Sequence, residues 1–226
     1  MDRPVAALFD IDGTLISTGG AGARSWRWAF NELHGIPADI GKFTGDGMTD
    51  PTVARRTFEK AVGRKPSAQE VATVLAAYLD RLPYEVEHSD GYRVLDGAPE
   101  LLPRLAKAGV LLGLTSGAVE AAAHIKLARG GLNRYFPFGG YGSDSPDRTE
   151  LTTCAIERGS RLIGEEIEPA KVFVVGDTPR DIEAAKGAGT VAVGVATGKY
   201  DEAALKGAGA EHVLASLREP FPGVDA

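Results

Sequence analysis

Cysteine and histidine are scarce in this chain. Cys154 is the one cysteine among 226 residues, so an internal disulfide is impossible, and we expect a reducing, cytoplasmic setting. Cys154 falls within a helical pattern with no neighbouring histidine, which favours a packing role over a nucleophilic one. The four histidines have no spacing typical of zinc ligands. The sequence therefore predicts neither a disulfide scaffold nor a zinc centre.

Long apolar runs and excess basic charge are missing as well. The amino-terminal apolar run covers residues 5–9, which is too short for the core of a signal peptide. No segment approaches the roughly 20 apolar residues that span a bilayer. A net charge of −6 lacks the basic surface typical of nucleic-acid binding. We expect a globular protein whose partners include neither membrane nor nucleic acid.

Two acidic residues follow directly on that apolar run. Residues 5–9 predict a short buried strand, and it ends in Asp10 and Asp12, with Gly13 next. Because strand side chains alternate, both carboxylates should project to the same side. Two neighbouring carboxylates repel, so this arrangement indicates a cation or a reaction. The alternative, an ordinary turn, explains Gly13 but not Asp10.

The pattern along the chain predicts an α/β fold with a helical insert. From about residue 94, helices alternate with apolar runs, which is typical of a doubly wound parallel sheet covered on both faces. The predicted strands are 110–114, 136–141, 171–175, 191–195 and 212–214, and the predicted helices are 98–108, 118–129, 149–163, 180–188 and 201–206. Between the first strand and residue 94, the sequence predicts helices only, at 24–34, 50–62 and 67–82. We expect a Rossmann-like core of residues 1–17 and 92–226 and an all-helical cap of residues 18–91.

Polar residues are concentrated where the predicted strands end. Thr115, Ser116 and Gly117 follow one strand, and Asp177 follows the strongest strand. In doubly wound sheets, ligands bind beyond the carboxyl ends of the strands. We therefore expect these residues to meet Asp10 and Asp12 in one site.

The predicted cap leaves the core at the same edge. It is joined to the core by two connectors, a glycine-rich one at 19–22 and a second at 89–91, and two such connectors indicate a hinge. The polar loop 41–50 could face the site, with Lys42, Thr44, Thr49 and nearby Arg55 able to bind polar groups. It could equally be an ordinary solvated connection between helices. Asp50 before Pro51 is predicted as the N-cap of the second cap helix.

Four motifs in this order resemble those of the haloacid dehalogenase-like superfamily, in particular its capped, phosphoglycolate phosphatase-like members. They are DIDGT at 10–14, TSG at 115–117, a cation before a helix, and GDTPRD at 176–181. The resemblance covers nearly the whole core. The family usually has lysine as the cation, and here the candidate is Arg148, which keeps the charge and can grip a phosphoryl group bidentately. The alternative is that Arg148 is a surface residue at a helix start.

The resemblance implies a role for each motif residue. Asp10 would be the nucleophile and Asp12 the general acid and base. Phosphate would be bound by Thr115, Ser116, Gly117 and Arg148. Mg²⁺ would be held by the carboxylates of Asp10 and Asp177 and by the backbone carbonyl of Asp12, while Asp181 would hold a ligating water or orient Arg148. Taken singly, Asp177 and Asp181 could instead be a helix cap and a first-turn acid.

The charges support the expectation of a metal. The negative charge in the predicted site comes from a phosphate dianion and from the carboxylates of Asp10, Asp177 and Asp181. The cation predicted to oppose it is Arg148. A divalent ion removes most of the remaining excess. We therefore predict a Mg²⁺-dependent phosphatase that hydrolyses a small phosphorylated metabolite, phosphoglycolate-like or a sugar phosphate, through an aspartyl phosphate. The alternatives are a sugar-phosphate mutase of the same superfamily and a non-catalytic phospho-ligand binder.

Overall fold

The computed structural model of the chain describes residues 3–45 and 47–224. Its strands are β1 Ala6–Phe9, β2 Ile16–Thr18, β3 Tyr92–Val94, β4 Leu111–Ser116, β5 Gly139–Tyr141, β6 Val172–Gly176, β7 Val191–Val195 and β8 His212–Leu214. Its helices are α1 Ala21–His34, α2 Asp50–Val62, α3 Ala68–Glu87, α4 Ala98–Lys107, α5 Glu120–Ala128, α6 Arg148–Ile163, α7 Pro179–Gly187 and α8 Glu202–Gly207.

Six of the strands form one parallel sheet in the order β5-β4-β1-β6-β7-β8. β1 lies inside the sheet, between β4 and β6, and all four of its residues are buried. A strand covered on both faces must be apolar along its length, which explains the unbroken run before Asp10. The strand order changes direction beside β1, where doubly wound sheets bind their ligands. The predicted α/β fold class is confirmed.

Alternate residues of β1 pack on opposite faces of this sheet. Phe9 belongs to a buried cluster that includes Leu101 of α4. Leu8 belongs to a second cluster that includes Ile156 of α6 and Ile182 of α7. Each fully buried side chain of this size contributes roughly 1.5–3 kcal/mol to stability. The two layers of helices therefore hold β1, and the acids that follow it, at a fixed depth.

A two-stranded antiparallel ribbon joins the core to its insert. β2 pairs with β3, with Ile16 opposite Val94 and Thr18 opposite Tyr92. These strands are absent from the sequence prediction, because three half-polar residues do not show a period. The ribbon brings both connectors of the insert together at the edge of the sheet where Asp10 lies.

One glycine in each connector, Gly19 and Gly91, is required by close packing. Gly19 has a φ of 59°, and a Cβ placed on it would lie 2.5 Å from Gly91 Cα. Two backbones can approach this closely only where both residues lack a side chain. Gly19 and Gly91 therefore serve contact between the two connectors, and the hinge stays a prediction.

Three helices, α1, α2 and α3, form the insert. The rings of Trp26 and Tyr78 stack with centroids 4.1 Å apart and planes 8° from parallel, and both side chains are buried. α3 continues through Pro83, past its predicted end at residue 82. The buried carboxylate of Glu85, paired with Arg24 at 2.8 Å, ties this last turn to α1. The helix keeps its course although proline costs roughly 3 kcal/mol inside a helix.

Among the described helices, none has both the length and the apolar character needed to cross a membrane.

Replacing Gly19 with alanine should destabilise the protein more than replacing Gly35. Both glycines have a left-handed φ, of 59° and 66°, but a Cβ added to Gly35 would have no described atom within 4 Å. Gly35→Ala should cost about 1 kcal/mol of unfolding free energy for the backbone alone. Gly19→Ala should cost about 1–3 kcal/mol more, because the connectors must separate. Urea titration of both variants measures the difference, and equal losses would contradict the close-packing explanation.

Candidate active site

Asp10 and Asp12 stand where β1 ends, and both line a cavity of about 470 Å³ at the carboxyl edge of the sheet. The Asp10 N–H donates to the Val175 carbonyl at 2.9 Å, which continues the ladder one residue beyond β1. Asp10 is buried, whereas 45% of the Asp12 side chain is exposed. One carboxylate is thus held against the sheet and the other reaches into the cavity.

Asp177 follows β6 and lies against the loop that contains Gly13 and Thr14. The Thr14 hydroxyl donates to Asp177 Oδ1 at 3.2 Å. Gly13 has a φ of 91°, and a Cβ on it would lie 2.4 Å from Asp177 Oδ2. Glycine is therefore the residue that lets this loop meet the carboxylate. Because β1 and β6 are neighbours in the sheet, their ends place Asp10 and Asp177 side by side.

Asp181 both caps α7 and holds Arg148. Its Oδ2 accepts hydrogen bonds from the Thr178 N–H at 3.0 Å and the Thr178 hydroxyl at 2.7 Å, which completes a capping box. Its Oδ1 accepts a hydrogen bond from Arg148. The two interpretations of Asp181, as first-turn acid and as partner of Arg148, therefore both describe the structure.

Arg148 is the first residue of α6, and its guanidinium points into the site. The side chain is 10% exposed, with Nη2 3.2 Å from Asp10 Oδ1, and it pairs with Asp181. Its Nη1 donates to the Gly47 carbonyl of the insert at 3.4 Å. The placement of Arg148 contradicts the alternative of a surface residue, because the guanidinium is buried among acids.

The pKa values of two of these acids are raised. Burial and the charges of Asp181 and Asp12 raise the pKa of Asp10 to about 7, against the lowering effect of Arg148. Burial and the charges of Asp10 and Asp181 raise the pKa of Asp177 to about 8. Each carboxylate therefore makes its neighbour harder to ionise. Perturbed acids gathered in a cavity are typical of a functional site.

Asp10, Asp177 and Asp181 each offer a carboxylate oxygen, and these atoms lie within 4.8 Å of one another. Three buried carboxylates, two of them with raised pKa values, fit a hard divalent cation, which would relieve their repulsion. This group contains both carboxylates predicted as ligands, Asp10 and Asp177, and adds Asp181, whose predicted role is to hold a ligating water or to orient Arg148. Ligation through the Asp12 backbone carbonyl stays a prediction.

Lys126, on α5, is the functional residue that sequence reasoning missed. Its Nζ lies 2.6 Å from Asp12 Oδ2, and its side chain is 9% exposed. The assumption that Arg148 is the one nearby cation is therefore wrong. A signal was available, because Lys126 shares the buried face of α5 with Ala122, Ala123 and Leu127. A lysine on an apolar helix face needs an acidic partner.

The residues after β4 divide between the cavity and the core. Ser116 and Gly117 line the cavity. Thr115 is buried behind it, with its hydroxyl 3.3 Å from that of Thr152. Ser116 and Gly117 therefore lie where a bound phosphate could contact them, and that contact stays a prediction. Thr115 could donate to a phosphate only if its hydroxyl gave up the contact with Thr152.

The loop before α2 closes over the cavity, but through other residues than predicted. Gly47, Met48 and Asp50 line it, whereas Lys42 and Thr44 are not among the lining residues. Thr49 is buried with its hydroxyl 2.9 Å from that of Thr52, and Arg55 lines a different cavity. Asp46, within the predicted loop, lies outside the described residues.

Asp50 fastens the insert to the core. The N-cap of α2 is Thr49, so the prediction of Asp50 as N-cap is wrong. Its Oδ2 instead accepts a hydrogen bond from the Val119 N–H at 2.9 Å, and its own N–H donates to the Gly117 carbonyl at 2.8 Å. The sequence could not show this, because the donor is 69 residues away. Burial raises the pKa of Asp50 to about 6, against the lowering effects of Lys126 and Val119.

Comparison with known proteins agrees with this geometry. The haloacid dehalogenase-like hydrolase family matches residues 5–189. The chain is 30% identical over 200 residues to an N-acetylmuramic acid 6-phosphate phosphatase of Pseudomonas aeruginosa, covering 87% of this chain and 83% of the relative. It is 30% identical over 240 residues to a phosphoglycolate phosphatase of Rhodospirillum rubrum, covering 98% and 94%.

Among solved structures, CbbY from Rhodobacter sphaeroides in complex with phosphate has the same fold. The TM-score is 0.75 at 19% identity, with 99% of this chain and 100% of that chain covered. The doubly wound sheet, its acidic strand ends and the phosphatase relatives define a phosphoric monoester hydrolase acting on small phosphorylated metabolites. Within that class, the chain belongs to the haloacid dehalogenase-like hydrolase family.

Replacing Asp50 with asparagine should make stability less dependent on pH. The folded protein keeps the Asp50 proton up to about pH 6, compared with 3.8 as the usual pKa. Wild type therefore loses stability as pH rises through this window, because the folded state must ionise a buried acid. Asparagine can still accept the Val119 hydrogen bond and avoids that cost. Its unfolding free energy relative to wild type should rise by up to about 3 kcal/mol between about pH 4 and about pH 7.

Asp144→Asn is the matched control, with the opposite sign. The hydrogen bond from Arg158 holds the pKa of Asp144 below its usual value, so wild-type Asp144 stabilises the fold above the unfolded pKa. Asp144→Asn should have a lower unfolding free energy than wild type near neutral pH, and this difference should disappear in acid. Urea titrations across the pH range measure both variants. Parallel pH curves for wild type and Asp50→Asn would show that Asp50 ionises freely in the folded protein.

Proposed function

We propose that this protein is a Mg²⁺-dependent phosphatase that hydrolyses its substrate through a phosphorylated Asp10. The observation that carries the proposal is the position of Asp10. Its carboxylate faces the cavity at the end of the buried strand β1, 3.2 Å from Arg148 and within 4.8 Å of oxygens from Asp177 and Asp181. A nucleophile placed beside a fixed cation and a group of potential metal ligands suits attack on a phosphate dianion.

The chain's own residues can carry both halves of the reaction. In the first half, an Asp10 oxygen forms a bond to phosphorus as the bond to the leaving oxygen breaks, and Asp12 gives that oxygen its proton. In the second half, a water attacks the phosphorus of the aspartyl phosphate, and Asp12 takes the proton from that water. Asp10 is released as a carboxylate, and inorganic phosphate leaves. Asp12, with 45% of its side chain exposed in the cavity, has the access that both transfers need.

Arg148 and the metal divide the charge of the substrate. Arg148, held by Asp181, presents its guanidinium to the phosphoryl oxygens next to Asp10. Both oxygens of Asp181 already have partners, which supports its predicted role of orienting Arg148 over direct ligation. Asp10 and Asp177 would then hold Mg²⁺, together with the Asp12 carbonyl. When bound, the ion supplies positive charge that offsets the phosphate dianion and polarises its oxygens.

The dimensions of the cavity support a small substrate. About 470 Å³ is within the range of small-molecule sites. The cavity is also lined by Arg93, Lys199 and Tyr200. These side chains can bind polar or charged groups of the substrate other than its phosphate. The relatives named above act on phosphoglycolate and on a sugar phosphate, and we propose a substrate of one of these two kinds.

Residues 18–91 are proposed as a cap that covers this reaction. α1, α2 and α3 all fall within that range, and β2 and β3 mark its boundary with the core. The hydrogen bonds of Asp50 and the contact of Gly47 with Arg148 close the cavity from the cap side. Closure excludes water while the aspartyl phosphate forms. The phosphatase relatives favour hydrolysis over the mutase alternative, and they disfavour a binding protein without activity.

Asp10→Asn should abolish turnover while leaving the fold intact. Loss of the nucleophile closes the covalent route, and we expect kcat for p-nitrophenyl phosphate to fall by at least about three orders of magnitude. Acid quenching of wild type with radiolabelled substrate should trap label on the protein, and the variant should trap none. Asp201→Asn, which makes the same chemical change at the exposed N-cap of α8, serves as the control. Near-wild-type turnover in Asp10→Asn would rule out the covalent mechanism.

Chelation with EDTA should abolish activity, and Mg²⁺ should restore it. Asp177→Asn should raise the Mg²⁺ concentration for half-maximal activity by at least about tenfold, because one ligand loses its charge. Mg²⁺ should also raise the Tm of wild type, and this shift should shrink in Asp177→Asn, whereas Asp201→Asn should keep it. Full turnover after exhaustive chelation, together with a Tm that ignores Mg²⁺, would refute the metal assignment.

A further inference from the structure

The site holds two buried cations, and they pair with different acids. Arg148 pairs with Asp10 and Asp181. Lys126 pairs with Asp12 at 2.6 Å, and no ion pair within the described residues joins it to the acids that Arg148 and the metal would share. The acid and base of the proposed mechanism thus has its own cation, which comes from a helix outside the four motifs.

Lys126 lies where the core meets the cap. α5 belongs to the core, and its surroundings include Asp50 of α2 and Tyr78 of α3. Burial opposes the charged form of Lys126, but the carboxylates of Asp12 and Asp50 outweigh burial and hold the pKa of the ammonium well above its usual range. A buried ammonium without such partners would cost several kcal/mol. The contact of 2.6 Å with Asp12 Oδ2 supplies such a partner, so Lys126 acts on Asp12 as a positive group held in place.

The helix that carries Lys126 is tied to the returning connector of the cap. The Tyr92 hydroxyl, on β3, donates to the Lys126 carbonyl at 2.9 Å. Arg129, just beyond α5, donates to the carbonyls of Val86 and Ser89 at 2.6 Å and 2.8 Å. These bonds fix the depth at which Lys126 enters the cavity. Because the partners of these bonds belong to the cap or to the strand that returns from it, the position of the cap and the position of Lys126 depend on each other.

We propose that Lys126 is a positioning residue, which holds the Asp12 carboxylate on the leaving-group side of the cavity when the cap is seated. This inference rests on the proposed function. In-line attack by Asp10 places the leaving oxygen on the far side of phosphorus, toward the cap that surrounds Lys126. The contact with Lys126 turns the Asp12 side chain to that side. In the first half of the reaction Oδ1 carries the proton and gives it to the leaving oxygen, while Oδ2 accepts the hydrogen bond of the lysine; in the second half Oδ1 takes the proton of the attacking water.

A positioning role predicts a dependence on the leaving group. Poor leaving groups need the proton from Asp12 as the bond to phosphorus breaks, whereas p-nitrophenolate departs with little help. Lys126→Met keeps the length of the side chain and removes its charge. In this variant, kcat/KM for phenyl phosphate should fall by about 10- to 100-fold and kcat/KM for p-nitrophenyl phosphate by less than about threefold. Lys126→Arg, which keeps the charge, should recover at least about tenfold on phenyl phosphate.

Three comparisons complete the test. Inhibition by inorganic phosphate should change by less than about threefold in Lys126→Met, since Arg148 binds the phosphoryl group, and should weaken by more than about tenfold in Arg148→Ala. Lys126→Met should add less than about twofold to the loss caused by Asp12→Asn, because both act through one group. Lys171→Met, at an exposed lysine paired with Glu168, should behave as wild type.

The outcomes separate this inference from the function on which it rests. If Lys126→Met loses activity equally on both esters and weakens phosphate inhibition, Lys126 binds phosphate and the inference is wrong. Additive losses with Asp12→Asn, or no loss at all in a folded Lys126→Met protein, also overturn it. If wild type with Mg²⁺ hydrolyses neither ester, the proposed function fails and the inference falls with it. Should Lys126→Met not fold, Lys126→Arg and Lys126→Gln supply the same comparison with and without charge.

Discussion

Repulsion among carboxylates that the sheet brings together is the constraint on which this structure depends. β1 and β6 are adjacent and parallel, so the acids that follow them, Asp10 and Asp177, are forced into contact. Asp181 joins them from the first turn of α7. Burial, together with this repulsion, raises the pKa values of Asp10 and Asp177. The fold tolerates this repulsion because the parallel ladder and the two layers of helices hold β1 in place.

The cations that offset this repulsion come from elements that are far apart in the chain. Arg148 opens α6 and reaches back to Asp10, and Asp181 fixes its guanidinium. Lys126 reaches from α5 to Asp12. Between them, the two cations pair with Asp10, Asp181 and Asp12, and a buried acid that loses its charged partner destabilises a protein strongly. Two cations with separate acids allow the phosphoryl group and the leaving group to meet different fixed charges.

The extent to which the sequence predicts the site follows from how local each signal is. Asp10, Asp12 and Asp177 could be identified because each ends an apolar run, and Arg148 because it starts a helix within a recognisable order of motifs. Lys126 has its partner 114 residues away, and Asp50 has its partner 69 residues away. The apolar face of α5 indicates that Lys126 needs an acidic partner, but neither pairing shows a period or a cap signature, so only tertiary structure reveals which residue the partner is. The ribbon of β2 and β3 escapes sequence prediction for a similar reason, since its short strands exist only by pairing with each other.

The stacked rings of the cap have a spectroscopic consequence. The chain has two tryptophans, Trp26 and Trp28, and both belong to α1 of the cap. Trp26 lies flat against Tyr78, a residue of α3 near Lys126. Tryptophan emission from this protein therefore originates in the cap alone, while the catalytic core contributes none. The protein therefore carries its own optical reporter of the insert formed by α1, α2 and α3.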